Sequence, residues 1–205
     1  MNLYKSIGKR VFDLLASISV LLISLPFFLI IIPLQVMLYR KIIYTQIRHT
    51  KNLRTFRIYK FASMRDVRDK NNAQLPDNLR ITKLGRILRR NSLDELPNLF
   101  NVIKGEMSIV GPRPLPVNFK NYMPTYMLRR YEVKSGITGL AQVSGRNSLS
   151  WRQKIDLDLE YVDKFNFIVD LKIIVLSIRT VINSSSNVNN ELNEKGIDNY
   201  RPNFD

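Results

Sequence analysis

The chain has 205 residues, enough for one compact domain with appended segments, and it holds no cysteine and a single histidine, His49. Disulfide scaffolds and zinc sites built from cysteine or several histidines are therefore excluded. With 32 Lys and Arg against 17 Asp and Glu, the net charge of +15 calls for an anionic partner: nucleic acid, anionic lipid or a phosphorylated substrate.

The first stretch of chain decides among these. Residues 14–39 carry no charged side chain in 26 positions. As a straight helix they would measure about 39 Å, against roughly 30 Å of bilayer hydrocarbon. The run is too long for the core of a signal peptide. A nucleic-acid-binding protein has no need of it, so membrane lipids are expected partners and nucleic acid is not. Lys5, Lys9 and Arg10 precede the run, while Arg40, Lys41 and Arg48 follow it. Basic flanks on both sides give no orientation under the positive-inside rule. Pro26 sits in the middle, where it removes a helix hydrogen bond and kinks the chain, and Ser24 is placed to help satisfy the freed carbonyls. A segment that enters, bends at Pro26 and leaves by the same face accounts for both features. An ordinary kinked spanning helix is the alternative.

Residues 42–47 (IIYTQI) and 56–61 (FRIYKF) are rich in β-branched and aromatic side chains and read as two short strands. Residues 65–80 read as a polar surface loop, and 82–91 (TKLGRILRRN) as a helix with Lys83, Arg86 and Arg90 on one face. The next stretch, SLDELPNLFNVIKGEMSIVGPRPL at 92–115, concentrates the chemistry. Asp94 and Glu95 fall at the start of a short helix, Arg86, Arg89 and Arg90 come just before, and a rigid Gly-Pro-Arg-Pro turn follows at 111–114. Carboxylates beside a helix N-terminus and several guanidiniums suit magnesium-assisted phosphate chemistry. Ser92 and Glu95 also have the spacing of a capping box, and the pattern alone leaves both readings open. Gly105 marks a helix stop, and the prolines flanking Arg113 restrict its backbone.

Residues 122–131 (YMPTYMLRRY) fit either a membrane-interface belt or ordinary packing. Three glycines at 136, 139 and 145 permit tight turns and close approach to a ligand. Residues 151–166 read as a polar helix and 168–182 as an amphipathic one. Its stripe of Ile168, Leu171, Val175, Ile178 and Ile182 suits the core or a membrane interface equally. The Asn- and Ser-rich end reads as a flexible tail.

Four blocks in order, KR-VFD at 9–13, YKFASM at 59–64, the 92–115 stretch and GITGLAQVSGRNSLSW at 136–151, carry a resemblance. Over residues 5–182 the chain resembles the bacterial sugar transferases known as small monotopic phosphoglycosyl transferases. The resemblance implies an α+β fold: a re-entrant membrane helix-break-helix over 1–40, then a small, mainly helical cytoplasmic catalytic domain over 41–182. That domain would carry short strands and interfacial amphipathic helices, with a polar tail at 183–205. The implied reaction moves a sugar-1-phosphate from a UDP-sugar to polyprenyl phosphate on the cytoplasmic face of the bacterial inner membrane. It would release UMP and open the synthesis of a glycoconjugate. Asp94 would be the nucleophile and a magnesium ligand, Glu95 would assist, and Arg89, Arg113, Arg146 and Lys60 would hold substrate phosphates. The sequence is compatible with a homo-oligomer. Departures from the family pattern are Leu25 where a serine usually precedes the proline, Thr50 and Leu53 for glycines, Ala62 for a basic residue and Ser135 for proline. The competing class is a membrane-anchored basic adaptor, which explains the charge but not the Asp94–Glu95 block.

Overall fold

The computed structural model describes residues 3–39, 41–145 and 148–184; the tail from 185 onward lies outside the described residues. A short π-helical turn, Tyr4–Gly8, leads into α1 (Lys9–Tyr39), 31 residues or roughly 46 Å of helix. α1 runs unbroken through Pro26 and Pro33, so the break expected near Pro26 is not a break in the helix. A proline removes one bond of the ladder, and in so long an apolar helix the turns on either side hold. The carbonyl freed by Pro26 is that of Leu22. Buried Ser24 donates instead to the Leu21 carbonyl at 3.1 Å, one residue earlier.

α1 is polarised in the reverse sense of a soluble helix. Its buried residues are Asp13, Ser17, Ser24, Ile31 and Gln35, which share one face at spacings of four and seven. The remaining faces are exposed Leu, Ile and Phe. Both ends are fastened to the rest of the chain. The Arg10 guanidinium donates to the carbonyls of Val102 (2.5 Å) and Ile103 (2.7 Å). Asp13 accepts from the Ser108 hydroxyl (2.9 Å) and the Ile109 N–H (3.0 Å). Towards the other end, Phe28 and Ile31 pack with Phe61 and Leu88, and the Tyr39 hydroxyl is hydrogen-bonded to Thr82.

The expected strands form an antiparallel hairpin of β1 (Ile43–His49) and β2 (Thr55–Phe61), registered from Ile43 opposite Phe61 to His49 opposite Thr55. The 65–80 segment contains one short turn of helix, α2 (Asp77–Arg80). α3 (Lys83–Arg90) starts at Thr82, whose hydroxyl accepts from the Gly85 N–H. After a 3-10 turn at Leu93–Glu95 comes α4 (Asn98–Lys104), which stops at Gly105 with φ of 85°, as the sequence predicts. β3 (Ser108–Val110) pairs in parallel with β4 (Gly136–Thr138). α5 (Leu140–Ser144), α6 (Trp151–Lys164) and α7 (Phe167–Ser184) complete the described chain. The fold is thus α+β and mostly helical, with two two-stranded sheets.

Two open readings are decided by burial. Met123, Met127 and Tyr131 join Leu115, Phe119 and Ile155 in a core cluster, so much of 122–131 is packing, although Tyr122 and Tyr126 stay exposed. Ile168, Leu171, Val175, Ile178 and Ile182 of α7 are all exposed, while Asp170 and Ile173 face inward. The stripe therefore does not serve the core. Phe167 meets Phe12 of α1 edge-on at 5.6 Å, which brings the two apolar surfaces together.

Asp13 is the polar rivet of this arrangement. Asp13→Ala would leave the Ile109 N–H without its acceptor and the Ser108 hydroxyl with the Val110 carbonyl alone, and is expected to destabilise the fold by about 1–3 kcal/mol. Thermal unfolding of the detergent-solubilised protein checks this.

Candidate functional site

Ser92 adopts a left-handed conformation (φ 54°) that ends the run of α3 and turns the chain into Leu93–Glu95. Its side chain caps nothing, so the capping box allowed by the spacing does not form. Glu95 reaches out of its own segment instead. Its Oε1 lies 2.6 Å from Lys60 Nζ on β2 and 3.4 Å from Arg113 Nη1 on the Gly-Pro-Arg-Pro turn.

Two asparagines hold that geometry. Asn98 Oδ1 accepts from the Tyr59 N–H at 3.0 Å, and Asn101 Nδ2 donates to the Arg57 carbonyl at 2.8 Å. Three residues apart, they lie on one face of α4 and stitch it to the strand that carries Lys60. Arg89, at the end of α3, donates from Nε to Ser63 Oγ at 2.8 Å. α3 lies so close to this segment that a Cβ on Gly85 would stand 1.9 Å from the Ser63 carbonyl oxygen.

The turn carrying Arg113 is held through its backbone. Gly111 N–H donates to Thr138 (2.8 Å) and Gly136 N–H to Pro112 (2.9 Å). A Cβ on Gly136 would approach Gly111 N to 2.1 Å. The close approach made by this glycine is thus to neighbouring backbone, and it locks the GITG block onto the GPRP turn. The structure therefore brings together Asp94, Glu95, Lys60, Arg89 and Arg113. Arg146 lies outside the described residues. Ser24 and Pro26 sit far along α1 and take no part in this cluster. Sequence reasoning missed Asn98, Asn101 and Ser63; the i, i+3 asparagine pair beside the acidic dipeptide was the available signal.

The two neighbouring acids are in opposite electrostatic states. Burial pushes the Asp94 carboxyl up to about 6; the Glu95 charge adds to this, while Lys60, Arg89 and Arg113 pull it back. Burial also disfavours charge on Glu95, but Lys60 and Arg113 outweigh it and hold that carboxyl well below its usual range. Glu95 is committed to two cations. Asp94 makes no hydrogen bond or ion pair among the described residues, and the charges around it act through space. Lys60, expected on substrate phosphate, is in direct contact with Glu95.

Among the described residues no three His, Cys, Asp or Glu side chains gather as a metal cage. Magnesium does not need one, since it is held by one or two carboxylates together with substrate phosphate oxygens. An uncommitted Asp94 among cations fits that donor set.

The bacterial sugar transferase family matches residues 4–184, and the chain belongs to it. It is an enzyme of the phosphoglycosyl transferase type, which sets aside the adaptor reading. It is 44% identical over 178 residues to an uncharacterized sugar transferase, EpsL, of Bacillus subtilis, covering 85% of this chain and 87% of that one. A UDP-glucose:undecaprenyl-phosphate glucose-1-phosphate transferase of Klebsiella pneumoniae is 35% identical over 204 residues, 91% of this chain and 43% of the relative. A UDP-N-acetylgalactosamine-undecaprenyl-phosphate N-acetylgalactosaminephosphotransferase of Aeromonas hydrophila is 37% identical over 150 residues, 69% of this chain and 35% of the relative. The chain thus spans less than half the length of the last two.

The raised carboxyl of Asp94 has a stability consequence. Its proton is released near 3.8 in the unfolded chain and near 6 in the fold, so the contribution it makes below pH 4 is lost as pH rises through 6. Asp94→Asn is neutral throughout. It is expected to stabilise the protein by roughly 1–3 kcal/mol at pH 8, with the advantage shrinking to nothing near pH 4. Melting curves across that range, without substrate or metal, test the sign.

Proposed function

We propose that the protein transfers a sugar-1-phosphate from a UDP-sugar to polyprenyl phosphate, releasing UMP, as the first membrane step of glycoconjugate synthesis. The observation that carries this reading is the buried, uncommitted carboxylate of Asp94 within a ring of cations, next to an acid already neutralised by two of them. The names of the Klebsiella and Aeromonas relatives point to the same donor and acceptor classes.

In the first step an Asp94 oxygen attacks the sugar-linked phosphorus of the donor. A new O–P bond forms, the bridging P–O bond breaks, and its electron pair leaves with UMP. In the second, an oxygen of polyprenyl phosphate attacks the same phosphorus and expels Asp94 as carboxylate. The product is a polyprenyl-diphosphate sugar, and no other reactant is required. A desolvated carboxylate is a better nucleophile than a hydrated one, and Arg89 and Arg113 offset the donor's charge. Glu95 keeps Lys60 and Arg113 in place. Asp94 would hold a magnesium ion, which would supply further charge neutralisation.

The membrane reading rests on α1, which is long and apolar enough to cross a bilayer. Arg10 and Asp13 near one end and Tyr39 at the other are tied to one and the same domain. This supports a re-entrant segment with both ends on the cytoplasmic face of the inner membrane, beside the exposed stripe of α7. With no native cysteine, single cysteines at Asn2 and Arg80 can be probed with an impermeant thiol reagent on intact cells. Both are expected to be protected; labelling of position 2 from outside would mean a spanning helix.

The chemistry is tested by UMP release. A stoichiometric burst without acceptor, ping-pong kinetics with it, and loss of both in Asp94→Asn are expected. Because the ionised carboxylate attacks, the burst should rise with pH through about 6. A strict need for both substrates before any UMP appears would favour direct attack by the lipid phosphate. Glu95→Gln should lower turnover roughly 100-fold. It should also move the midpoint of the remaining pH profile downward, since the Glu95 charge that raises the Asp94 carboxyl is removed.

A further inference from the structure

Arg113 reaches the site from a turn whose two prolines have no N–H to donate, so the turn must be fixed largely by what its carbonyls accept. The Val110 carbonyl lies 3.0 Å from the Tyr161 hydroxyl, and that of Pro112 accepts from Gly136 N–H. The carbonyl of Arg113 itself accepts from Arg130 Nη2 at 2.7 Å. Arg130 is 2% exposed, and its Nε and Nη2 lie 3.0 and 2.7 Å from a single oxygen of Asp158 on α6. A fully buried guanidinium needs its counter-charge, and the core cluster of Phe119, Met127 and Ile155 could be filled by apolar side chains at these positions instead. What an apolar pair could not do is donate a charge-assisted hydrogen bond to the Arg113 carbonyl.

We propose that Arg130, held by Asp158, is a positioning residue that fixes the Arg113 backbone so that its guanidinium meets the diphosphate of a nucleotide donor. This rests on the reading above that Arg113 binds substrate phosphate. Arg130 touches no reacting atom and acts only through Arg113. The segment 122–131 is thereby more than core: it carries the brace of the phosphate-binding turn.

The test is a mutant cycle on the full chain in detergent, with UDP plus magnesium as the calorimetric probe, UMP release from UDP-glucose and undecaprenyl phosphate as a second readout, and melting temperature as the control. Arg130→Met/Asp158→Leu removes both charges together, and its melting temperature is expected within about 5 °C of wild type. Its UDP affinity is expected to fall at least 10-fold, as in Arg113→Ala, while adding the pair to Arg113→Ala costs less than a further 2-fold. Wild-type UDP affinity in the double variant, or full additivity in the triple, would overturn the positioning role while leaving the phosphate role of Arg113 standing. Unchanged affinity in Arg113→Ala would instead overturn that role and the brace with it. Should the double variant fail to fold, Arg130→Lys goes through the same cycle. It keeps the charge opposite Asp158, but its ammonium ends one bond short of the position of Nη2 that meets the Arg113 carbonyl, so the same coupled loss is expected and its absence counts against the proposal.

Discussion

Asp94 and Glu95 are neighbours in the chain that feel each other's charge, and the site depends on making them unequal. The difference comes from elsewhere in the fold. β2 delivers Lys60 and the GPRP turn delivers Arg113 to one oxygen of Glu95, 2.6 and 3.4 Å away. Like charges this close disfavour one another's ionisation, so neutralising Glu95 from outside leaves Asp94 as the acid whose charge is conditional. The stitching of α4 to β2 by Asn98 and Asn101, and the glycine-tight contact of Gly136 with Gly111, serve to keep those two cations where they are.

α1 is as much a part of the domain as of the membrane surface. Arg10 supplies donors to two of the last carbonyls of α4, the helix that follows the two acids, adding to the Gly105 N–H on that of Val102 and satisfying that of Ile103. Through Arg10 and Asp13 the apolar segment is rigidly related to the site. Lys9 adds a further tie at the buried Asp170 of α7, with 2.6 Å between the charged groups. The apolar helix and the site are therefore joined by side-chain bonds rather than by a flexible linker.

Much of this was legible in residue patterns, because it is local. The β-branched runs gave the hairpin to within two residues, the basic and amphipathic periods gave α3, α6 and α7, and Gly105 gave the end of α4. What was not legible depends on partners far along the chain. Ser92 and Glu95 have the same spacing whether they cap each other or not, and the outcome is decided by Lys60, 35 residues away. Arg130 in an aromatic, basic stretch looks like an interface residue until Asp158, 28 residues on, is seen to bury it. Pro26 has the composition of a break, yet the helix continues past it. Two departures from the family pattern turn out to belong together: Ser135 N–H donates to Thr50 Oγ1 at 3.2 Å, a bond that a proline at 135 and a glycine at 50 could not make.

The polar stripe on α1 has a consequence for how the protein comes into being. The partners of Asp13 are Ser108 and Ile109, 95 and 96 residues later in the chain. At about 5–20 residues per second of synthesis, the ribosome supplies them on the order of 5–20 s after Asp13 itself. During that interval the Asp13 carboxylate has only water or lipid headgroups to satisfy it, whereas Ser17 and Ser24 are served by carbonyls of α1 itself. The apolar segment is synthesised first and docked second. Its seat against the domain is completed only when α4 and β3 supply the partners of Arg10 and Asp13.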